Sequence, residues 1–136
     1  MKAPGEILRT ARRVVLFVAL ALVLYGVARF DLVLLPEGAR SPLYGLHAGD
    51  RLLVDRHARH GAEEETWLYR GAAGELLIGR ATAPPAGLEP AARAALAAGG
   101  LWIVAERDVP GVADSRTLGP IPAEGRVGRV LLVLPW

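Results

Sequence analysis

Two serines, three histidines and a single lysine bound the chemistry open to this chain. Ser41 and Ser115 are the serines, and a serine hydroxyl attacks a carbonyl only once a base takes its proton. The imidazoles are His47, His57 and His60, and histidine is the usual general base. Lys2 is the lysine. A lysine becomes a base at neutral pH only when apolar burial lowers its pKa. There is no cysteine, which excludes disulfides, thiolate nucleophiles and Cys-based zinc or iron–sulfur centres. Asp55, His57 and His60 offer oxygen and nitrogen donors at loose spacing with no second motif beside them. They read first as a solvated connection between strands and only then as a metal site. Nothing in the sequence points to a cofactor.

The elements that carry these residues fit on one domain and an N-terminal extension. The chain has 136 residues, 52% of them apolar, enough for one small core. Residues 1–13 hold Lys2, Arg9, Arg12 and Arg13 against Glu6, a net of +3, whereas the whole chain is +2, so the remainder is close to neutral. A nearly neutral body with no basic patch argues against nucleic acid as a partner. Residues 14–28 are free of charge and end at Arg29. As a helix that run covers about 22 Å, short of the ~30 Å hydrocarbon core, and snorkelling arginines at both ends close most of the gap. A membrane anchor is expected, with the basic flank in the cytoplasm and the body outside. A cleavable signal peptide is the alternative, since Gly26-Val27-Ala28 has a small-x-small form. A buried core helix fits the arginine cluster poorly.

Beyond the anchor the pattern is strand-like. Residues 30–35, 51–54, 66–70, 75–83, 101–106 and 126–134 read as strands, with a hairpin at Gly71-Ala72-Ala73-Gly74. One soluble helix is expected over 91–98, opened by Pro90 and closed by Gly99-Gly100. The expected fold is mostly β: an anchor over 1–30, then a small folded sheet or partial barrel over 31–136 with one short helix. Trp67, Trp102 and Trp136 suit either its core or a membrane interface.

Two segments carry a resemblance. Ser41-Pro42-Leu43-Tyr44-Gly45-Leu46-His47-Ala48-Gly49-Asp50-Arg51-Leu52-Leu53-Val54 resembles the nucleophile box of the type I signal peptidases, S-M-x-P-T-L-x-x-G-D-x-x-x-V. Ser41 falls on the nucleophile, and Leu46, Gly49, Asp50 and Val54 fall on family positions. Pro42, Tyr44 and Gly45 depart from the family's Met, Pro and Thr. Ala113-Asp114-Ser115-Arg116, followed by Val127-Gly128-Arg129, is similar to the family's C-terminal D-S-R segment. The order of the boxes behind an anchor extends the resemblance over essentially the whole chain. It implies a peptidase-like β domain and a membrane-anchored serine endopeptidase that cuts exported precursors after small residues. Exported precursor peptides and the lipid bilayer are the partners it implies.

The resemblance also shows what is missing. The family's base is a lysine in a strand reading roughly V-K-R-V-V. Here that strand is Ile78-Gly79-Arg80-Ala81-Thr82, so Arg80 matches and Gly79 stands at the lysine position. A branch of the family uses histidine there, which Gly79 is not either. Lys2 lies before the anchor, on the wrong side. Val112 occupies the helper-serine position, Ala39 that of an oxyanion side-chain donor, and the family's G-D-N appears only as Ala105-Glu106-Arg107. Arginine cannot replace the base, because it does not deprotonate. Losing one member of a nucleophile–base pair costs roughly 10⁴ or more in rate. The implied enzyme therefore needs another base, with the histidines as the candidates. The alternative is an inactive paralogue that keeps the scaffold as a membrane-bound peptide-binding or regulatory protein. Asp114, Ser115, Arg116, Gly49, Asp50 and Arg80 would support the site in either case. Family membership requires Ser41, Gly79 and Asp114–Arg116 to converge; an unrelated small β protein on an anchor would scatter them.

Overall fold

The computed structural model describes residues 4–35, 43–59, 64–71 and 73–135. Helix α1 runs over Pro4–Arg29. Its 26 residues span about 39 Å, so the helix outlasts its uncharged run by taking in the basic flank. No part of its apolar stretch is buried, and it is long and apolar enough to cross a membrane. α1 leads straight into β1 (Phe30–Leu34). There follow β2 (Arg51–Asp55), β3 (Thr66–Arg70), β4 (Leu76–Ala81), α2 (Pro90–Ala97), β5 (Ile103–Val104), α3 (Ser115–Leu118), a 3-10 turn (Ala123–Gly125) and β6 (Arg126–Leu134).

The six strands form one antiparallel sheet in the order β1-β2-β6-β3-β4-β5. Among the described residues β1 and β5 do not pair, so the sheet is open rather than closed into a barrel. The mostly β architecture behind an N-terminal helix is as expected from the strand pattern. α3 is additional: a turn of helix within a stretch whose glycines and prolines read as loop.

Alternation along the strands divides the core in two. Leu52, Val54, Leu68 and Ile78 pack with Leu35, Leu43 and Leu46. Trp67, Tyr69, Ala81 and Ile103 pack with Leu101 and Ile121 on the other side. Trp67 and Trp102 are thus core residues, whereas Trp136 lies outside the described residues. Beside α1, one side of β1, β2 and β6 stays uncovered. Leu32, Leu53 and Leu132 stand in register across the three strands, with Leu34 and Leu134 flanking Arg51 one row on. Leu32, Leu34, Leu132 and Leu134 are exposed.

Two bulges, at Leu53/Val54 and Leu68/Tyr69, twist the middle of the sheet. Gly128 lies where they crowd β6 against β2. A Cβ there would overlap Val54 Cγ1 and approach the Asp55 carbonyl oxygen to 2.8 Å.

The helix–sheet junction is held by charge. Arg29 Nη2 meets the buried Asp55 carboxylate at 2.9 Å. Arg56 Nη2 donates to the Val27 and Ala28 carbonyls at 3.2 Å, and the Arg56 N–H donates to the Arg29 carbonyl. These bonds satisfy carbonyls that a helix C-terminus leaves without partners.

Candidate functional site

The Gly-Asp pair of the first box makes the turn into β2. Gly49 adopts φ +90°, a conformation that costs a side-chain-bearing residue more than glycine. Its N–H donates to the Leu35 carbonyl, and the Leu35 N–H donates to the Asp50 carbonyl. The buried Asp50 carboxylate accepts the His47 N–H at 2.8 Å. The turn thus folds residues 43–50 back onto the end of β1, and Leu43 and Leu46 drop into the first cluster. Ser41 and Ala39 lie outside the described residues, as does His60.

Glu106 joins this loop to β4. Its Oε1 accepts from Arg80 Nε at 2.7 Å and Nη2 at 2.6 Å. Its Oε2 accepts the Tyr44 N–H at 2.8 Å. One carboxylate therefore ties together the loop over residues 43–50, the strand bearing Arg80 and the segment after β5. A charge-assisted, two-point Arg–carboxylate contact fixes orientation as well as distance. In the sequence Glu106 stood out only as a remnant of G-D-N; an acid at the end of the expected strand over 101–106 was the available signal.

The D-S-R segment caps the edge of the sheet. β5 pairs with β4 on one side; on the other, Ser115 Oγ accepts the Ile103 N–H at 2.8 Å and Asp114 Oδ2 accepts the Ala105 N–H at 2.9 Å. Arg116 Nη2 donates to the Ala105 carbonyl at 3.4 Å and to Asp114 Oδ2 at 2.6 Å. Asp114 is also the N-cap of α3, accepting the Arg116 N–H. Side chains thus occupy backbone groups that a free edge would present to another strand. Burial works to raise the Asp114 pKa, but the bonds from Arg116 and from the Ala105 and Arg116 N–H groups outweigh it. The carboxyl is held below the ordinary carboxylate range.

Gly79 sits opposite Trp67 in the β3–β4 ladder. A Cβ at this position would overlap Ile103 Cγ2 and stand 3.5 Å from Tyr69 Cε1. Position 79 therefore faces the second cluster. Its neighbours Ile78 and Arg80 face the Leu43 side, through the first cluster and the Glu106 link. The Tyr69 hydroxyl has its pKa pushed up to about 12, by burial first and then by the negative charges of Asp114 and Glu75.

Neither described imidazole is held as a catalytic base. The His47 side chain is 80% exposed, with Nδ1 3.9 Å from Asp50 Oδ2. His57 is exposed, and its backbone N–H donates to Asp55 Oδ1 at 2.9 Å. Asp55 is committed to that bond and to Arg29. Burial works to raise its pKa, but these partners hold it below the ordinary carboxylate value. Among the described residues no three His, Asp or Glu side chains gather as a metal-binding group. Val112 has its N–H on the Val109 carbonyl and supplies no side-chain donor. Glu106 thus joins the described part of the first box to β4, and Asp114 and Ser115 join the second box to β5. Position 79 faces the side of the sheet away from Leu43, so the structure does not bring it together with the first-box loop. No protein-family model matches the chain, and no curated protein matches it.

Proposed function

We propose that the chain is a membrane-anchored, signal-peptidase-like protein whose β domain receives the extended segment of exported precursors without cutting it by Ser–Lys chemistry. The observation that carries this is at residue 79, where Ile103 and Tyr69 fill the space a lysine side chain would enter. The Glu106 link between Tyr44 and Arg80 supports kinship with the peptidases, because it ties three segments that the resemblance aligns separately. Extended peptides are bound by adding a strand to a sheet, with the main chain giving affinity and pockets giving specificity. In this proposal α1 crosses the plasma membrane once, with the N-terminus cytoplasmic and the body periplasmic or extracellular. The exposed leucines of β1 and β6 beside α1 suit a domain seated against the bilayer. A reporter fused after Trp136 is expected to score outside the cytoplasm.

A second reading is favoured by Ser41 itself, at the nucleophile position of the box: a serine endopeptidase working with an unconventional base. One assay separates the two. The full chain, purified in detergent, is incubated with an exported precursor bearing an A-x-A site and a photo-crosslinker next to it. Crosslinking without products, unchanged by Ser41→Ala, is the expected outcome. Cleavage by the native chain that Ser41→Ala abolishes would overturn the non-cutting proposal and establish the peptidase.

A further inference from the structure

On the α1 side of the sheet, a cleft of about 250 Å³ opens between the loop after β2 and the start of β6. Arg56, His57, Arg59, Trp67 and Arg126 line it, and no Asp or Glu does among the described residues. Arg126 is half-buried, yet among the described residues its guanidinium hydrogen-bonds to backbone oxygens alone: Ala123 at 3.3 Å from Nε and Arg59 at 2.6 Å from Nη1. Its carbon lies 5.9 Å from the centroid of the Trp67 ring. Arg59 is exposed and makes no ion pair among the described residues. Arg56 pairs with Asp31 at 3.9 Å and with no other acid among the described residues. The Trp67 ring is fully buried, and its indole N–H has no acceptor among the described residues. A buried donor left unbonded costs stability unless something accepts from it.

The cleft is therefore rich in donors and short of acceptors. Arginines offer forked donors that match the oxygens of a tetrahedral anion. Its position adds a second constraint. Arg56 reaches the last carbonyls of α1, so the cleft stands one side chain from the end of the apolar helix. With α1 in a bilayer that is the depth of the phosphate layer. We propose that this cleft is a binding site for a phosphate group, held by Arg56, Arg59 and Arg126, with Trp67 in its wall. A phospholipid headgroup and free inorganic phosphate share that chemistry. The assignment is independent of what happens at Ser41; only the lipid source depends on α1 lying in a membrane.

The test uses the full chain, ¹⁵N-labelled at tryptophan, in neutral detergent, with the Trp67 indole signal identified by Trp67→Phe. Inorganic phosphate and a short-chain phosphatidylglycerol are titrated separately. A saturable shift of the Trp67 signal is expected, weakening with salt. Arg126→Gln should reduce affinity about tenfold or more, while Arg93→Gln, on the exposed side of α2, leaves it unchanged. Arg59→Gln changes a solvent-exposed side chain and serves if Arg126→Gln fails to fold. A shift with both ligands, or with either alone, that depends on these arginines supports the site and names its source. No saturable shift with either ligand, or a shift indifferent to Arg126→Gln and Arg59→Gln, overturns it.

Discussion

Adding one methyl group at residue 79 should destabilise the fold, and trimming Ile103 should relieve it. Gly79 lacks the left-handed φ that would strain a substituted residue, so Gly79→Ala on its own would gain about 0.4–1 kcal/mol through the unfolded state. Against that, the new Cβ overlaps Ile103 Cγ2. Ile103 is fully buried and β-branched, so few rotamers let it step aside. Overpacking of this kind costs about 1–3 kcal/mol, leaving a net loss of about 1–2 kcal/mol. Ile103→Ala alone opens a cavity and costs about 2–5 kcal/mol. In the double variant the residue-79 methyl enters the vacated space, so the two losses should fall short of additive by about 1–2 kcal/mol. Urea unfolding of the full chain in detergent, followed by near-UV circular dichroism, gives the four values of the cycle. Losses that add to within about 0.5 kcal/mol would show that the side chains do not meet and that residue 79 has room for a lysine. The same cycle bears on a lysine at this position: Gly79→Lys is expected to fold poorly alone and better with Ile103→Ala.

Other perturbations test other joints. Ser115→Ala leaves the Ile103 N–H without its acceptor, and a loss of about 1–3 kcal/mol is expected in the same unfolding assay. Asp55 and Asp114 hold depressed pKa values. Their contribution is fully present above the unfolded carboxylate value of about 3.9 and is lost as pH falls through the lower folded values. The melting temperature should therefore drop below about pH 4, less steeply in Asp114→Asn. Tyr69 is shifted the opposite way, to about 12. Stability from its buried neutral hydroxyl is complete below about pH 10 and is lost as pH rises through about 12, so Tyr69→Phe should flatten the alkaline limb of the melting curve. Gly128→Ala drives a Cβ against the Asp55 carbonyl, which cannot step aside as a side chain does, and should cost more than Gly79→Ala.

The strands were legible as short apolar runs bounded by charge and by glycine or proline turns. β3 and β6 have the expected bounds, and β2 runs one residue further, to Asp55. α2 was legible from Pro90 at its first turn and the glycines that end it. Residues 115–118 were not, because α3 is held by one capping carboxylate and its bonds to β5 rather than by helix propensity. The Gly-Asp turn and the D-S-R segment could be picked out by pattern, but the work of Ser115 could not. Its partner is a backbone N–H twelve residues earlier, and no spacing rule announces such a bond. The role of Glu106 was hidden for a similar reason, since both its partners are distant in sequence. The occupied space at residue 79 depends on which way β4 faces, and a glycine gives no apolar cue to its own side of the sheet.

The direct passage from α1 into β1 has a mechanical consequence. Arg29 closes the helix and Phe30 opens the strand, and the junction is clamped by Asp55 and Arg56. A flexible tether lets a domain explore a volume that grows with linker length; here there is no linker to lengthen. With α1 in a bilayer, the inclination of the helix becomes the inclination of the sheet, as a mast sets its sail. Helices answer changes in hydrocarbon thickness by tilting, so a thicker or thinner membrane would swing the sheet edge toward or away from the surface. Encounters with any other membrane-bound molecule would then be confined to lateral diffusion in the plane, with membrane thickness setting the angle of approach.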